Sequence, residues 1–136
     1  MSNIVTFTAQ DIQQFHDEEL IELGGLPGFH QDKLEGIVAR VDQAIYYTGM
    51  EDAFDISALY MVSIAKAHAF NDGNKRTALA VSLAYLKRNR IDIPANCGLN
   101  DLTVEVASWS EDQERLVEMV ADELYRLAEE NDQFLE

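Results

Sequence analysis

The stretch His68-Ala-Phe-Asn-Asp-Gly-Asn-Lys-Arg76 lies between two apolar segments and decides the fold of the chain. Residues 56–69 and residues 77–86 are apolar nearly all round, with small side chains mixed among the large ones. A helix that is apolar on every side is a buried one. The sequence therefore predicts two buried central helices joined by a short polar loop.

Four further segments predict helices that surround this pair. The first begins after Thr8, which together with Asp11 resembles a capping box, and it stops at Gly24-Gly25. The others are predicted at residues 31–47, 102–108 and 112–130. No convincing strand pair is present. We therefore predict an all-α fold, a compact helical bundle that forms a single domain over residues 1–136.

The composition narrows the class of protein. The chain has 136 residues, of which 47% are hydrophobic and 26% charged, as is ordinary for a globular protein. No apolar run approaches the roughly 18 residues that cross a bilayer, and the first residues do not resemble a signal peptide. Cys97 is the only cysteine, which excludes an internal disulfide framework and a cysteine-based metal cluster. We expect a cytoplasmic protein that does not contact membranes.

The charge distribution points to a small anionic ligand. A net charge of −15 argues against direct nucleic-acid binding, which requires clusters of Lys and Arg. Between Lys66 and Arg90, however, six of the ten basic residues stand against one acid, Asp72. A local positive field on an acidic body suits an anion that is bound at one place. The alternative for Lys87, Arg88 and Arg90 is that they favour the C-terminal end of a helix.

The polar loop combines the residue types that bind phosphate and metal. His68 ends a buried helix, where an imidazole can act as a general base. Asp72 supplies a hard carboxylate suited to Mg²⁺, and Gly73 permits a close backbone approach. Lys75 and Arg76 lie in the first turn of the next helix, where cations are normally disfavoured and an anion would explain them.

Each of these residues also has a structural interpretation when taken singly. A histidine at a helix end can be a satisfied polar group, Asp-Gly can be a turn, and Asn74 can be a helix cap. Phe70 packs in either interpretation. Nine such residues between two buried helices nevertheless favour a phosphate-and-metal site over a plain turn.

This loop resembles the active-site motif of the Fic/Doc family, H-x-F-x-[D/E/N]-[G/A]-N-[G/K]-R. The resemblance extends from the glycine-rich turn at residues 24–28 to about Arg90. It implies an all-α fold of Fic/Doc type and the transfer of a nucleotide-derived group to a protein hydroxyl. It also implies that His68 is the general base, that Asp72 binds Mg²⁺, and that the phosphates of ATP are bound by Gly73, Asn74, Lys75 and Arg76.

Two departures from the AMP-transferring members resemble the Doc branch, whose members are toxins of toxin–antitoxin pairs. Lys75 stands where those members have Gly, and Leu79 stands where they have a second Arg. In the Doc branch the nucleotide binds in the reverse orientation, and its γ-phosphate moves to a threonine of elongation factor Tu. The resemblance therefore implies an ATP-dependent protein kinase that arrests translation.

The sequence also bears on how such an activity is restrained. Many Fic enzymes carry an inhibitory helix with the pattern [S/T]-x-x-x-E-[G/N]. The nearest match here is Glu35-Gly36, but Gln31 stands where Ser or Thr is required. We therefore expect restraint by a second polypeptide, an antitoxin.

Two alternatives to the kinase remain open at this point. The same site could transfer AMP to a protein hydroxyl. Alternatively, the chain could be a non-catalytic domain that uses the helix end to bind a nucleotide or an anionic partner.

Overall fold

The computed structural model describes residues 4–94, 98–110 and 112–130, so that Cys97 lies outside the described residues. Within these ranges the chain forms six α-helices and no strand, and an isolated antiparallel bridge pairs Phe29 with Phe70. The all-α prediction is confirmed. The helices are α1 (Ala9–Leu23), α2 (Gln31–Thr48), α3 (Ala53–Ala67), α4 (Asn74–Arg88), α5 (Leu99–Ser108) and α6 (Gln113–Glu130).

The start of α1 is confirmed by its cap. The Asp11 amide donates to the Thr8 hydroxyl oxygen at 3.1 Å, and the Thr8 amide donates to the Asp11 carboxylate at 2.9 Å. These two bonds satisfy amides that have no partner within the helix. The helix ends at Gly24, as predicted, and a turn of seven residues leads from there into α2.

Helix α3 is the centre of the molecule and packs against α2, α4, α5 and α6. Eleven of its fifteen residues are buried, which confirms the prediction of a helix surrounded on all sides. It starts at Ala53, three residues before the predicted start, because the Asp52 carboxylate caps the amides of Phe54 and Asp55. It ends at Ala67 rather than Ala69, because His68 turns into the left-handed conformation.

Helix α4 is buried on one face only, which differs from the prediction of a helix buried on every side. Its buried face lies against α3, where the Ser57 hydroxyl donates to the carbonyl of Ser82 at 2.8 Å. Such small residues allow the two helices to approach closely. The opposite side, including Leu79, is half-buried. The buried residues of α4 are Thr77, Ala78, Val81, Ser82, Tyr85 and Leu86.

No helix among the described residues combines the length and the apolar character that a membrane span requires.

The packing of α3 against α4 has a direct consequence for the polar loop. The C-terminus of α3 and the N-terminus of α4 lie on either side of residues 68–73, so that two helices fix both ends of the loop.

Candidate active site

His68 begins the loop with its side chain in solvent. Its backbone φ of 51° and ψ of 44° lie in the left-handed region, which a residue with a Cβ rarely adopts. The next two residues, Ala69 and Phe70, are buried. The chain therefore turns sharply at His68, anchors itself in the core through Phe70, and leaves the imidazole exposed. The role of Phe70 as the loop's anchor is confirmed by its exposure of 2%.

The side chain of Asn74 closes the loop by hydrogen bonds to the loop's own backbone. Its Oδ1 accepts a hydrogen bond from the Phe70 amide at 3.1 Å, and its Nδ2 donates to the Phe70 carbonyl at 2.9 Å. The side chain thus pairs with both backbone groups of one residue, as a neighbouring strand would. In this conformation Asn74 shapes the loop, and its backbone amide is the group that remains for a phosphate. The sequence did not indicate this pairing, and the phosphate-binding role of Asn74 stays a prediction.

The N-terminus of α4 has unpaired backbone amides. Its N-cap is Gly73, in the left-handed conformation, and no side chain caps the helix. The first backbone bond of the helix comes from Thr77 to the Gly73 carbonyl, so the amides of residues 74–76 have no acceptor among the described residues. Free amides and the positive end of the helix dipole attract an anion.

Two cations stand at this helix end. Lys75 is exposed, and its ammonium group has no partner in the part of the chain that the structure describes. Arg76 is half-buried and donates from Nη2 to the carbonyl of Gly24 at 2.9 Å. The structure thus brings Gly73, Asn74, Lys75 and Arg76 together at one helix end.

The other basic residues of this segment lie elsewhere. Lys66 donates to the carbonyls of Ala107 and Trp109, and so ties α3 to the end of α5. Lys87 and Arg88 lie in the last turn of α4, about 20 Å from its first turn at 1.5 Å per residue. Lys87 and Arg88 thus lie at a helix C-terminus, as the alternative interpretation expects, whereas Arg90 lies beyond the C-cap Asn89.

Residues 24–30, which we call the strap, run alongside the loop and are tied to its backbone. The His30 amide donates to the Ala69 carbonyl at 2.7 Å, and the Asn71 amide donates to the Gly28 carbonyl at 3.1 Å. The Asn71 side chain adds a bond to the carbonyl of Pro27 at 3.1 Å. A Cβ on Gly28 would lie 2.2 Å from that side chain, so the strap can approach this closely only with glycine there.

The Asp72 carboxylate faces the strap and is ionised. Its Oδ2 accepts from the Leu26 amide at 3.1 Å, and its Oδ1 accepts from the Gly73 amide at 2.9 Å. These two backbone bonds, with smaller contributions from Arg76 and His16, hold the pKa of Asp72 below its ordinary value. Among the described residues, no group of three or more His, Cys, Asp or Glu side chains could hold a metal ion.

His16, on α1, is part of the site and was missed in the sequence. Its ring is 3% exposed and stacks on Phe70, with the ring centres 3.9 Å apart and the planes within 4°. Its Nε2 donates to the Asp72 carbonyl at 2.8 Å. The available signal was its position four residues after the buried Ile12, which places a histidine on the apolar face of α1.

Comparison with known proteins agrees with this architecture. A family model described as the Fic/DOC family matches residues 6–86. The chain is 40% identical over 119 residues to "Protein kinase doc" of Escherichia phage P1, an alignment that covers 87% of this chain and 91% of that protein. It is 34% identical over 79 residues to "Toxin Doc" of Mycolicibacterium smegmatis, covering 55% of this chain and 61% of that protein.

Proposed function

The chain belongs to the Fic/Doc family, and from that premise we propose that it is a Doc-like toxin, a cytoplasmic protein kinase that transfers the γ-phosphate of ATP to a protein hydroxyl. The proposed target is a translation factor, elongation factor Tu, whose modification would arrest translation. Members of the family are enzymes that transfer phosphate or AMP. The two relatives are named as a protein kinase and as a toxin.

The observation that carries the proposal is the open N-terminus of α4 beside an exposed histidine. Three unpaired amides, Lys75 and Arg76 can neutralise the charge on transferring phosphate groups. His68 stands at the other end of the same short loop, with its imidazole free for a substrate. These features of one short loop support both a phosphate site and a base.

In the proposed reaction His68 accepts the proton of the target hydroxyl. The hydroxyl oxygen forms a bond to the γ-phosphorus as the bond from that phosphorus to the β–γ bridging oxygen breaks. ADP leaves with the electron pair of that bond. The amides at the start of α4 and the side chains of Lys75 and Arg76 stabilise the charge on the phosphate oxygens.

The site is suited to Mg²⁺. Mg²⁺ binds through one or two carboxylates together with substrate phosphates, and it supplies charge neutralisation on those phosphates when it is bound. Asp72 offers one carboxylate whose lowered pKa keeps it ionised at neutral pH. We propose that Asp72 is the Mg²⁺ ligand and that Gly73, Asn74, Lys75 and Arg76 hold the phosphates, Asn74 through its backbone amide.

Two side chains favour phosphate transfer over AMP transfer. Lys75 places a free positive charge at the helix end, where AMP-transferring members have glycine. Leu79, at the position of their second arginine, is half-buried and packs against the hydrophobic core. The proposed phosphate site thus has Arg76 but no second arginine at position 79, as in the Doc branch.

A cognate antitoxin is the proposed partner. Toxins named Doc imply an antitoxin, and the sequence lacks the inhibitory pattern through which many Fic enzymes restrain themselves. Co-expression of the neighbouring reading frame should then abolish the growth arrest that this chain causes alone. The relief should coincide with loss of transfer in extracts, and growth that is unaffected by the chain alone would contradict the toxin assignment.

The transferred group can be identified directly. The protein is incubated with Mg²⁺, purified elongation factor Tu and ATP that is labelled at either the α- or the γ-phosphate. Label on the target from γ alone supports the kinase. Label from α shows AMP transfer, and no label in either reaction, with a lysate as a second source of targets, favours a nucleotide-binding module. A His68→Ala protein is the control for contaminating kinases.

A further inference from the structure

His16 contacts the loop at two points, Phe70 and Asp72, although it lies more than fifty residues away in the sequence. Its ring stacks on Phe70, and its Nε2 donates to the Asp72 carbonyl. A Cβ built on Gly73 would lie 3.6 Å from the Cδ2 of His16, which is van der Waals distance. One imidazole from α1 therefore contacts the anchor of the loop and the backbone of the proposed metal ligand, and it lies beside the N-cap of α4.

Packing alone does not explain a histidine at this position. The ring is 3% exposed, and a phenylalanine could stack on Phe70 equally well without the cost of burying a polar group. What an imidazole adds is the donor at Nε2, together with a longer contact of 3.4 Å between Nδ1 and the Asp17 carboxylate. That donor pairs with the Asp72 carbonyl, which belongs to the peptide that joins Asp72 to Gly73.

The orientation of this peptide affects both the Asp72 carboxylate and the N-terminus of α4. The Gly73 amide, at the other end of the same peptide, donates to the Asp72 Oδ1 at 2.9 Å. The carbonyl of Gly73 in turn accepts the first backbone bond of α4, from Thr77 at 2.9 Å. If this peptide rotates, the Asp72 carboxylate and the free amides of α4 no longer face the same point.

We propose that His16 is a positioning residue, which fixes the Asp72–Gly73 peptide so that the metal-binding carboxylate and the phosphate-binding helix end face one ligand. This inference rests on the proposed function for its catalytic consequence. Its structural consequence, a loop held by one side-chain donor, does not depend on which group the enzyme transfers. The two consequences are therefore measured separately.

The decisive comparison is between His16→Phe and His16→Gln. Phenylalanine keeps the stacked ring and removes the donor, whereas glutamine loses the ring and keeps an N–H donor. Exchange of the Gly73 amide is followed by NMR in the absence of any ligand. Loss of one net hydrogen bond corresponds to about tenfold faster exchange in His16→Phe. His16→Gln should stay near wild type, and His30→Phe, at an exposed histidine, is the matched control.

The same proteins are then titrated with Mg²⁺ and ADP by calorimetry and assayed for transfer. We expect the ADP dissociation constant to rise about tenfold in His16→Phe, kcat to fall, and both to recover in His16→Gln. Unfolding temperatures, which report a merely structural role, should differ little between the two variants. Equal exchange of the Gly73 amide and equal ADP affinity in wild type and His16→Phe would overturn the proposal. Wild-type protein that transfers no γ-phosphate would instead count against the proposed function alone.

Discussion

The backbone amide of Leu26 donates a hydrogen bond of 3.1 Å to the Oδ2 of Asp72, 46 residues further along the chain. The other oxygen of this carboxylate accepts from the Gly73 amide. The Nη2 of Arg76, in the first turn of α4, donates a hydrogen bond of 2.9 Å to the Gly24 carbonyl. The strap is therefore bonded to the two side chains that the proposed function assigns to metal and phosphate, and we expect ligand binding to be coupled to the position of the strap.

The first prediction follows from this competition. When Mg²⁺ and ATP bind, Asp72 and Arg76 turn toward the ligand, and the hydrogen bond from the Leu26 amide weakens. Exchange of the Leu26 amide, followed by NMR, should become faster. The His30 amide is the internal control, because it donates to the Ala69 carbonyl, which no ligand requires. Exchange at Leu26 that is slowed or unchanged by the nucleotide would contradict the coupling.

The second prediction concerns Asp72 as a ligand of Mg²⁺. Asp72→Asn keeps the shape of the side chain but replaces an ionised oxygen ligand by a neutral amide, which binds a hard cation more weakly. The Mg²⁺ concentration for half-maximal transfer should rise about tenfold or more, a factor that corresponds to one weakened charge-assisted contact. Asp92→Asn removes the same charge from an exposed site and is the control. A Mg²⁺ titration equal to that of the wild type would show that Asp72 only shapes the loop.

The third prediction concerns stability and pH. Tyr60 is buried, its hydroxyl oxygen accepts from the Phe7 amide at 2.9 Å, and burial raises the pKa of Tyr60 to about 12. In the unfolded chain the phenol ionises near pH 10. Since the folded pKa is the higher one, this contribution to stability is complete below about pH 10 and is lost as the pH rises toward 12.

Replacing Tyr60 by Phe should remove that part of the alkaline loss of stability. At neutral pH the same change leaves the buried Phe7 amide without an acceptor, which should lower the free energy of unfolding by about 1–3 kcal/mol. Urea denaturation at a series of pH values between 7 and 11 measures both effects. Tyr47→Phe, at a side chain that is 85% exposed, should change neither.

The sequence predicted those features that rest on local patterns. The capping box at Thr8, the glycine stop at Gly24 and the buried character of α3 each follow from a few neighbouring residues. The end of α3 was placed two residues late, because the left-handed turn at His68 depends on the fit of Ala69 and Phe70 into the core. Apolar periodicity does not report such a fit.

The contacts that complete the site join residues that are distant in the chain. The motif identified His68, Asp72 and Arg76 as candidates, but the bonds from Leu26 to Asp72 and from His16 to the loop depend on tertiary packing. The assignment of Asn74 shows the same limit. From the sequence alone, the side-chain amide of Asn74 could bind a phosphate or cap the loop. Only the two hydrogen bonds to the Phe70 backbone show that it closes the loop.

The fourth prediction concerns His68 as the general base. His68→Ala should lower the rate of transfer by about 10²–10⁴, the usual contribution of general-base catalysis. ATP affinity and helical content should remain near those of the wild type, because the His68 side chain is exposed and lies outside the helices. His30→Ala, at an exposed histidine on the strap, is the matched control. Full activity in His68→Ala would exclude His68 as the base.

The last prediction tests the assignment to the kinase branch through Lys75. Lys75→Gly removes one positive charge from the helix end and introduces the glycine that AMP-transferring members have at this position. Glycine costs up to about 1 kcal/mol in a helix, so Lys87→Gly, with the same change at the other end of α4, is the control for helix stability. Both proteins should fold by circular dichroism, and only Lys75→Gly should lose γ-phosphate transfer.

The branch assignment gains a second test if Leu79→Arg is added to Lys75→Gly. Leu79 is half-buried, so the guanidinium can reach solvent without lying wholly in the core, although some apolar packing is lost. If these two positions set the orientation of the nucleotide, label from the α-phosphate should appear on the target as label from the γ-phosphate falls. Lys75→Gly that transfers γ-phosphate at the wild-type rate would show that Lys75 does not distinguish the branches. The preference for a kinase would then rest on the missing second arginine at Leu79.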